Sequence, residues 1–276
     1  MKRTRMFFLL LSLAIVVNKM QSQEIIDHAT ARASYQFSYK TKADLDTYDK
    51  TDLMYLDVGQ KTSKFYSRYT QIRDSVTADE LKKGFSVAEI TQSRKGLKKG
   101  TNIVYYQDFS LNTTHVVSVL ATYGFIYDEK MELPKWVISN EKIEINGYSC
   151  QKATTSFLGR EWTAYFTPEI AMNKGPWKLW GLQGLIVQAS DNQNIFEYKL
   201  TGFELIKKQT PIVYTHTRNN GSEYKKTNKK TVFDYEKKFY DDYFSFIELI
   251  TGSKPIREGG LPMPKKSVEY IPLEPW

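Results

Sequence analysis

From Ser34 onwards hydrophobic and polar residues alternate with a period of two. Tyr35, Phe37 and Tyr39 alternate with polar partners, and Phe65, Ser67 and Tyr69 repeat the pattern. Such alternation describes strands with one wet and one buried face, the signature of an antiparallel sheet. Thr77-Ala-Asp-Glu80 then reads as a capping box, with Leu81, Phe85 and Ala88 following at helical spacing. This predicts a helix over 77–94, ended by Lys95-Gly96. Between Asn102 and Leu205 the pattern predicts a meander of short strands at 102–107, 114–120, 122–127, 135–139, 141–146, 148–157, 161–166, 184–190 and 195–205. Asn146-Gly147 is a strong hairpin signal because both residues tolerate positive φ. Gly159-Arg160 and Asp191-Asn192-Gln193-Asn194 separate further strand pairs.

After Thr231 the period lengthens. Phe239, Tyr243, Phe246, Ile247 and Ile250 make a helical stripe, closed by Gly252. From about Lys254 the chain carries Pro255, Pro262, Pro264, Pro272 and Pro275, which predicts an extended tail over the surface. Together these elements predict one α+β domain over 24–276. Its core is a large curved antiparallel sheet, a half-barrel-like meander packed against one or two helices.

The first 23 residues follow a different pattern. Lys2, Arg3 and Arg5 precede an apolar run from Met6 to Val17, and Asn18 to Gln23 is polar. Spanning a bilayer takes about 20 apolar residues, so this shorter run predicts a signal peptide over 1–23, cut close to Gln23. No Cys stands at the cut, so no lipid anchor is expected there. The expected localisation is therefore export, to the periplasm or the cell surface. Later apolar runs fall short of spanning length, so no transmembrane span is expected in the mature chain.

The whole chain carries 39 Lys+Arg against 31 Asp+Glu, a formal charge of +8. Removal of Lys2, Arg3, Arg5 and Lys19 leaves 35 against 31, or +4. Lys225, Lys226, Lys229 and Lys230 fall in one polar loop, so the folded body is nearly neutral. That argues against nucleic acid as a partner. Aromatic residues reach 14%, a high value, and the one Cys cannot form an internal disulfide.

Five motifs occur in order between Trp136 and Asp191. The first runs Ile145-Asn146-Gly147-Tyr148-Ser149-Cys150-Gln151-Lys152-Ala153, and the second is Phe157-Leu158-Gly159-Arg160. Ala164-Tyr165-Phe166-Thr167, Gly175-Pro176-Trp177-Lys178 and Gly181-Leu182-Gln183-Gly184-Leu185-Ile186 complete the set. This stretch resembles the GLPGLI family, exported proteins of Bacteroidetes-type bacteria. Ser63 to Ser67 and Tyr270 to Glu274 extend the resemblance towards both ends. Gln183 stands where the family's name-giving proline is usual, Leu179 replaces an aromatic, and Ala171 replaces a common proline. The resemblance implies an envelope setting with outer-membrane partners. It supplies no activity, ligand or catalytic residue.

The residues themselves offer few reactive groups. Gly181-x-x-Gly184 is followed by strand-like Leu185-Ile186-Val187 instead of a helix, so it is no phosphate loop. The better reading is a compact loop packed by Trp177 and Trp180, whose rings and Arg160 are the candidate ligand contacts. Arg160 is expected to pair with a carboxylate, either Glu169 or a ligand's acid group. Cys150 reads as a small buried hydrophobe in a strand. His28, His115 and His216 lie far apart in the sequence and in no metal-ligand spacing, so neither a metal nor another cofactor is expected.

The expected function is a non-enzymatic envelope protein that binds a hydrophobic small molecule or an outer-membrane partner. Phe239, Tyr243 and Phe246 are placed to line or plug the cavity of a curved sheet. The alternatives are an extracytoplasmic hydrolase and a module that docks through its C-terminal tail.

Overall fold

The computed structural model describes residues 23–218 and 221–276. The expected signal peptide, apart from Gln23, lies outside the described residues. The elements run β1 (Gln23–Tyr39), β2 (Lys50–Val58), β3 (Thr62–Ser67), α1 (Arg68–Lys82), α2 (Val87–Ser93), β4 (Ile103–Asp108), β5 (Thr113–Leu120) and β6 (Tyr123–Lys130). Then follow β7 (Val137–Ile145), β8 (Tyr148–Phe157), β9 (Arg160–Thr167), β10 (Leu185–Asp191), β11 (Phe196–Thr215), β12 (Lys225–Lys226), α3 (Lys229–Asp241) and α4 (Tyr243–Thr251).

The fold is α+β. Among the described residues all twelve strands belong to one open sheet, in the order β12-β6-β5-β4-β3-β2-β1-β11-β10-β9-β8-β7. Two antiparallel meanders, β2 to β6 and β7 to β11, meet at the β1–β11 seam. There fifteen residue pairs run in register from Gln23↔Thr215 to Tyr39↔Phe196, with three irregularities. The sequence pattern predicts a purely antiparallel sheet, but β12 pairs with β6 in parallel, which makes the sheet mixed. Strands β6 and β7 lie far apart in the sheet order, yet the six residues 131–136 join them.

The turns follow local chemistry. Asn146 (φ 53) and Gly147 (φ 80) form the expected two-residue hairpin. The β8–β9 turn sits one residue earlier than Gly159-Arg160: Leu158 (φ 47) and Gly159 (φ 78) make it, and Arg160 opens β9. Asp191 shapes the β10–β11 turn by accepting the amides of Ile195 and Phe196 at 2.8 and 2.9 Å.

The helices depart further from expectation. The predicted 77–94 helix is two helices, because the chain breaks at Gly84 in the left-handed region (φ 80). Thr77 lies inside α1 and donates to the Arg73 carbonyl, so Thr77–Glu80 caps nothing. The operative capping box is Ser86 with Glu89 at the start of α2, while Ser67 caps α1 through the amide of Thr70. The Phe239–Ile250 stripe also divides, into α3 and α4 around Asp242, whose carboxylate accepts from the Phe244 amide and Ser245 hydroxyl. Gly252 closes α4 in the left-handed region as expected. Among the described residues four helices therefore accompany the sheet, against the one or two expected. The expected Lys225–Lys230 loop is structured as well, with Lys225 and Lys226 in β12 and Lys229 and Lys230 opening α3.

The main core draws on β1–β3 and β8–β11 together. Tyr35, Leu56, Phe65, Trp162, Tyr198 and Trp177 all belong to it. A second cluster sets Val116, Leu120, Phe125 and Tyr127 of β5 and β6 against Val232 and Phe246 of α3 and α4. A third puts Ala29 and Ile212, from the far end of the β1–β11 ribbon, against Tyr106, Val117 and Ile126.

Backbone contact dictates one glycine. A Cβ on Gly184 would meet the Thr167 carbonyl oxygen at 2.1 Å. Backbone cannot yield as a flexible side chain can, so Gly184→Ala is expected to destabilise the protein by about 1–3 kcal/mol. Urea unfolding checks this, with a lower midpoint and an unchanged slope expected.

Candidate functional site

The C-terminal tail, α3 and the face of the sheet that carries the main core border a partly open cavity of about 220 Å³. Eight aromatic residues line it: Phe37, Tyr39, Phe65, Tyr105, Phe196 and Tyr198 come from the sheet, and Tyr240 and Tyr270 from α3 and the tail, alongside aliphatic side chains and the polar Thr101, Asn102 and Ser118. Among the described residues the single carboxylate on the wall is Glu236 of α3, which is 8% exposed. Its two oxygens accept from the Tyr270 hydroxyl at 3.0 Å and the Trp276 indole N–H at 3.2 Å. Burial pushes its carboxyl above the ordinary value of 4.5, partly offset by those two hydrogen bonds. Tyr270 stacks flat on Tyr240, with centroids 3.8 Å apart.

The tail is a strap fastened at several points. Arg160 donates from Nε to the Leu273 carbonyl at 2.8 Å and from Nη2 to the Pro272 carbonyl at 2.5 Å. Its third contact is Nη1 to Asp191 Oδ2 at 3.0 Å. Glu274 joins a ring of alternating charge, in which both Lys178 and Lys229 contact both Glu129 and Glu274. Ile271 and Leu273 pack on the main core. Gly159 leaves room for Pro275, whose ring lies 3.0 Å from where a Cβ would sit. Residues 270–276 are thus fastened to the protein's own sheet and to α3.

The candidate ligand contacts of the sequence lie outside this cavity. Trp177 is 1% exposed and packs against Trp162 and Phe157, so it is core, not rim. Trp180 is half-buried and sits beside Phe109 and Lys174, while its indole donates to the Glu132 carbonyl. Arg160 pairs with Asp191 instead of Glu169, whose carboxylate accepts the Ser149 amide. Cys150 is fully buried, and burial pushes its thiol up to about 11. Lys152 pairs with Glu141 at the surface. Gly147 and Tyr148 belong to the β7–β8 hairpin. Gly175 and Pro176 are buried in the loop before β10, with the half-buried Gly181 at φ 96.

Three motif residues from two separate segments do converge. Gly159, Arg160 and Lys178 all grip the tail. The wall residues Glu236, Tyr240 and Tyr270 were missed. The stripe Phe239, Tyr243 and Phe246 points elsewhere: Phe246 is fully buried and Phe239 packs beside it in the second core cluster. Glu236 and Tyr240 carry a sequence signal only as a second, i to i+4 face of α3.

Two histidines distant in the sequence also meet. His115 bonds Asp128 at 2.7 Å, and the rings of His115 and His216 flank Tyr214 at 5.7 and 4.8 Å. Among the described residues no group of three His, Cys, Asp or Glu is placed to hold a metal. No helix among them is long and apolar enough to cross a membrane.

No protein-family model matches the chain, and no curated protein matches it by sequence. Solved structures do match. One crystal form of PNGF-II aligns with a TM-score of 0.52 at 14% identity, over 77% of this chain and 34% of that one. A second form gives 0.48 at 15%, over 75% and 32%. The chain spans about a third of the length of these solved chains, and the first likeness is one of fold alone.

The raised Glu236 value fixes a sign. An acid whose carboxyl is raised by folding stabilises the protein below its unfolded value, and that contribution is lost as pH rises through the folded value. The contribution of Glu236 to stability, read as the difference between the wild type and Glu236→Gln, is therefore expected to fall from pH 4.5 upwards through that window. Thermal melts of both proteins from pH 4 to 8 check it.

Proposed function

We propose that this is an exported envelope protein that binds a small hydrophobic molecule in the strapped aromatic cavity, and that it is a member of the GLPGLI family. The observation that carries the binding reading is the cavity itself: eight aromatic side chains and one buried carboxylate surround about 220 Å³ beneath a tail that can act as a lid. An apolar cavity of about 150 Å³ is known to accept benzene. This one suits a single substituted ring, and a long acyl chain fits only once the strap lifts. Family membership rests on the five ordered motifs, three of whose residues meet at the tail.

We read the sheet as an open half-barrel, on chain reach. Residues 131–136 extend to roughly 25 Å at most. Ten flat interstrand spacings between β6 and β7 would need about 48 Å. A sheet curled around the main core reconciles the two. Export rests on the tripartite pattern of residues 1–23.

Indole serves as the test probe. At ten times its dissociation constant, specific binding adds about 1.4 kcal/mol of stability, a rise in melting temperature of roughly 3–5 °C for a domain this size. Ser118 lines the cavity and is 3% exposed, so Ser118→Leu fills it. The expected result is a shift in the wild type and none in folded S118L. Equal shifts in both proteins, or none in the wild type at solubility-limited indole, would overturn the assignment.

A further inference from the structure

We propose that the opposite face of the sheet carries a second binding site, beneath α1, for a compact polar molecule bearing an oxyanion, held by Lys64 and Thr217. The side-chain alternation of β3 and β4 creates it. Phe65 and Tyr105 face the aromatic cavity, so Lys64, Tyr66, Val104 and Tyr106 face the other way. Over them lies a pocket of about 310 Å³, roofed by α1.

The roof is unusual in its chemistry. A helix packed on a sheet normally turns an apolar stripe inward. Here the residues of α1 that line the pocket are Thr70, Gln71, Asp74, Ser75 and Ala78. Such a face leaves room and hydrogen-bonding capacity for a polar occupant, and little reason for the space to collapse.

Two of the pocket's polar groups lack a hydrogen-bond partner among the described residues, although the Lys64 ammonium does make cation–π contacts with two tyrosines. The Lys64 ammonium lies 4.8 Å from the Tyr66 ring centre and 5.3 Å from that of Tyr106. Among the described residues it makes neither a hydrogen bond nor an ion pair. The charge that acts on it, Asp57, is already engaged by Arg32 at 2.6 and 3.1 Å and by the Tyr66 hydroxyl at 3.0 Å. Thr217 Oγ1 is buried with no partner among the described residues.

A half-buried ammonium that faces a polar pocket, and whose acting carboxylate is already engaged elsewhere, is suited to take up an anion. Burial accordingly lowers the Lys64 value from 10.5, only partly opposed by Asp57. The other titratable groups on the pocket are Tyr66, Tyr106, Tyr224 and Asp74. Asp74 is raised by burial, and the cations acting on it are Arg218, Arg94 and Arg73, not Lys64. An oxyanion beside Lys64 would favour the charged amine, so affinity should fall as pH rises through the lowered Lys64 value.

Competitive amine labelling read by mass spectrometry tests the site, with exposed Lys61 as the internal reference. The probes are glucuronate and inorganic phosphate, with glucose as the uncharged control. At least one oxyanion is expected to slow labelling of Lys64 about tenfold relative to Lys61, with no effect of glucose. Protection by glucuronate alone identifies a carboxylate ligand, and by phosphate alone a phosphate ligand. Calorimetry should show affinity reduced about tenfold or more in Lys64→Met and several-fold in Thr217→Val. The hydroxyl-deleting variant keeps the test open if K64M fails to fold. Indole binding in the other cavity should be unchanged in both variants, which separates this proposal from the preceding one. No protection by either oxyanion, equal protection by glucose, or unchanged affinity in the folded variants overturns it.

Discussion

The ring formed by Glu129, Lys178, Glu274 and Lys229 is the contact on which the arrangement of the tail depends. Its members come from β6, from the loop before β10, from the tail and from the first turn of α3. Lys178 is 6% exposed at its side chain and each glutamate 13%. Charges so far withdrawn from water are tolerable only when every one is paired, and removing one partner leaves another stranded. The alternation of sign achieves this, since each lysine touches both acids. One consequence is mechanical: four segments of very different sequence position share a vertex. Another is functional, because the same vertex places Tyr270 and Ile271 over the aromatic cavity.

Arg160 fastens the strap a second time and by different means. Its guanidinium spends one arm on Asp191 and two on main-chain carbonyls of the tail, so the attachment reads backbone and not side-chain identity. The planar fork of five donors makes that division possible, as an ammonium could not. Asp191 is itself committed to the β10–β11 turn. Turn, arginine and tail thus form one hydrogen-bonded chain, and the Phe196 ring lies 4.5 Å beneath the guanidinium.

A single sheet here separates two chemistries. Period-two alternation sends Phe65 to one face and Lys64 and Tyr66 to the other, and β4 repeats the division with Tyr105 and Tyr106. On the first face α3 and α4 supply Val232 and Phe246 to an apolar cluster. On the second, α1 presents threonine, glutamine, serine and aspartate. The two pockets share a sheet, yet the side chains that would decide their ligands are independent of each other.

What could be read from the sequence was local. The Asn146-Gly147 hairpin, the Gly252 cap, most of the strands and the burial of Cys150 follow from backbone torsion and short-range periodicity, which act over a few residues. The motif residues Gly159, Arg160 and Lys178 stood out, but their common task did not. Arg160 meets the tail across 113 positions and Lys178 meets Glu274 across 96. No spacing rule reaches that far, so Glu169 was as reasonable a partner for Arg160 as Asp191. Helix faces were ambiguous for a related reason. The apolar stripe of α3 and α4 was expected to line or plug the cavity, yet Phe239 and Phe246 pack in the second cluster, because which residues of α3 face the cavity depended on how the helix lay against the sheet. The pairing of β1 with β11, which joins the two meanders, likewise needed both ends of the chain. Periodicity and turn chemistry therefore determined the elements, and only tertiary packing decided which distant charges and rings would face one another, because those partners are chosen by proximity in space.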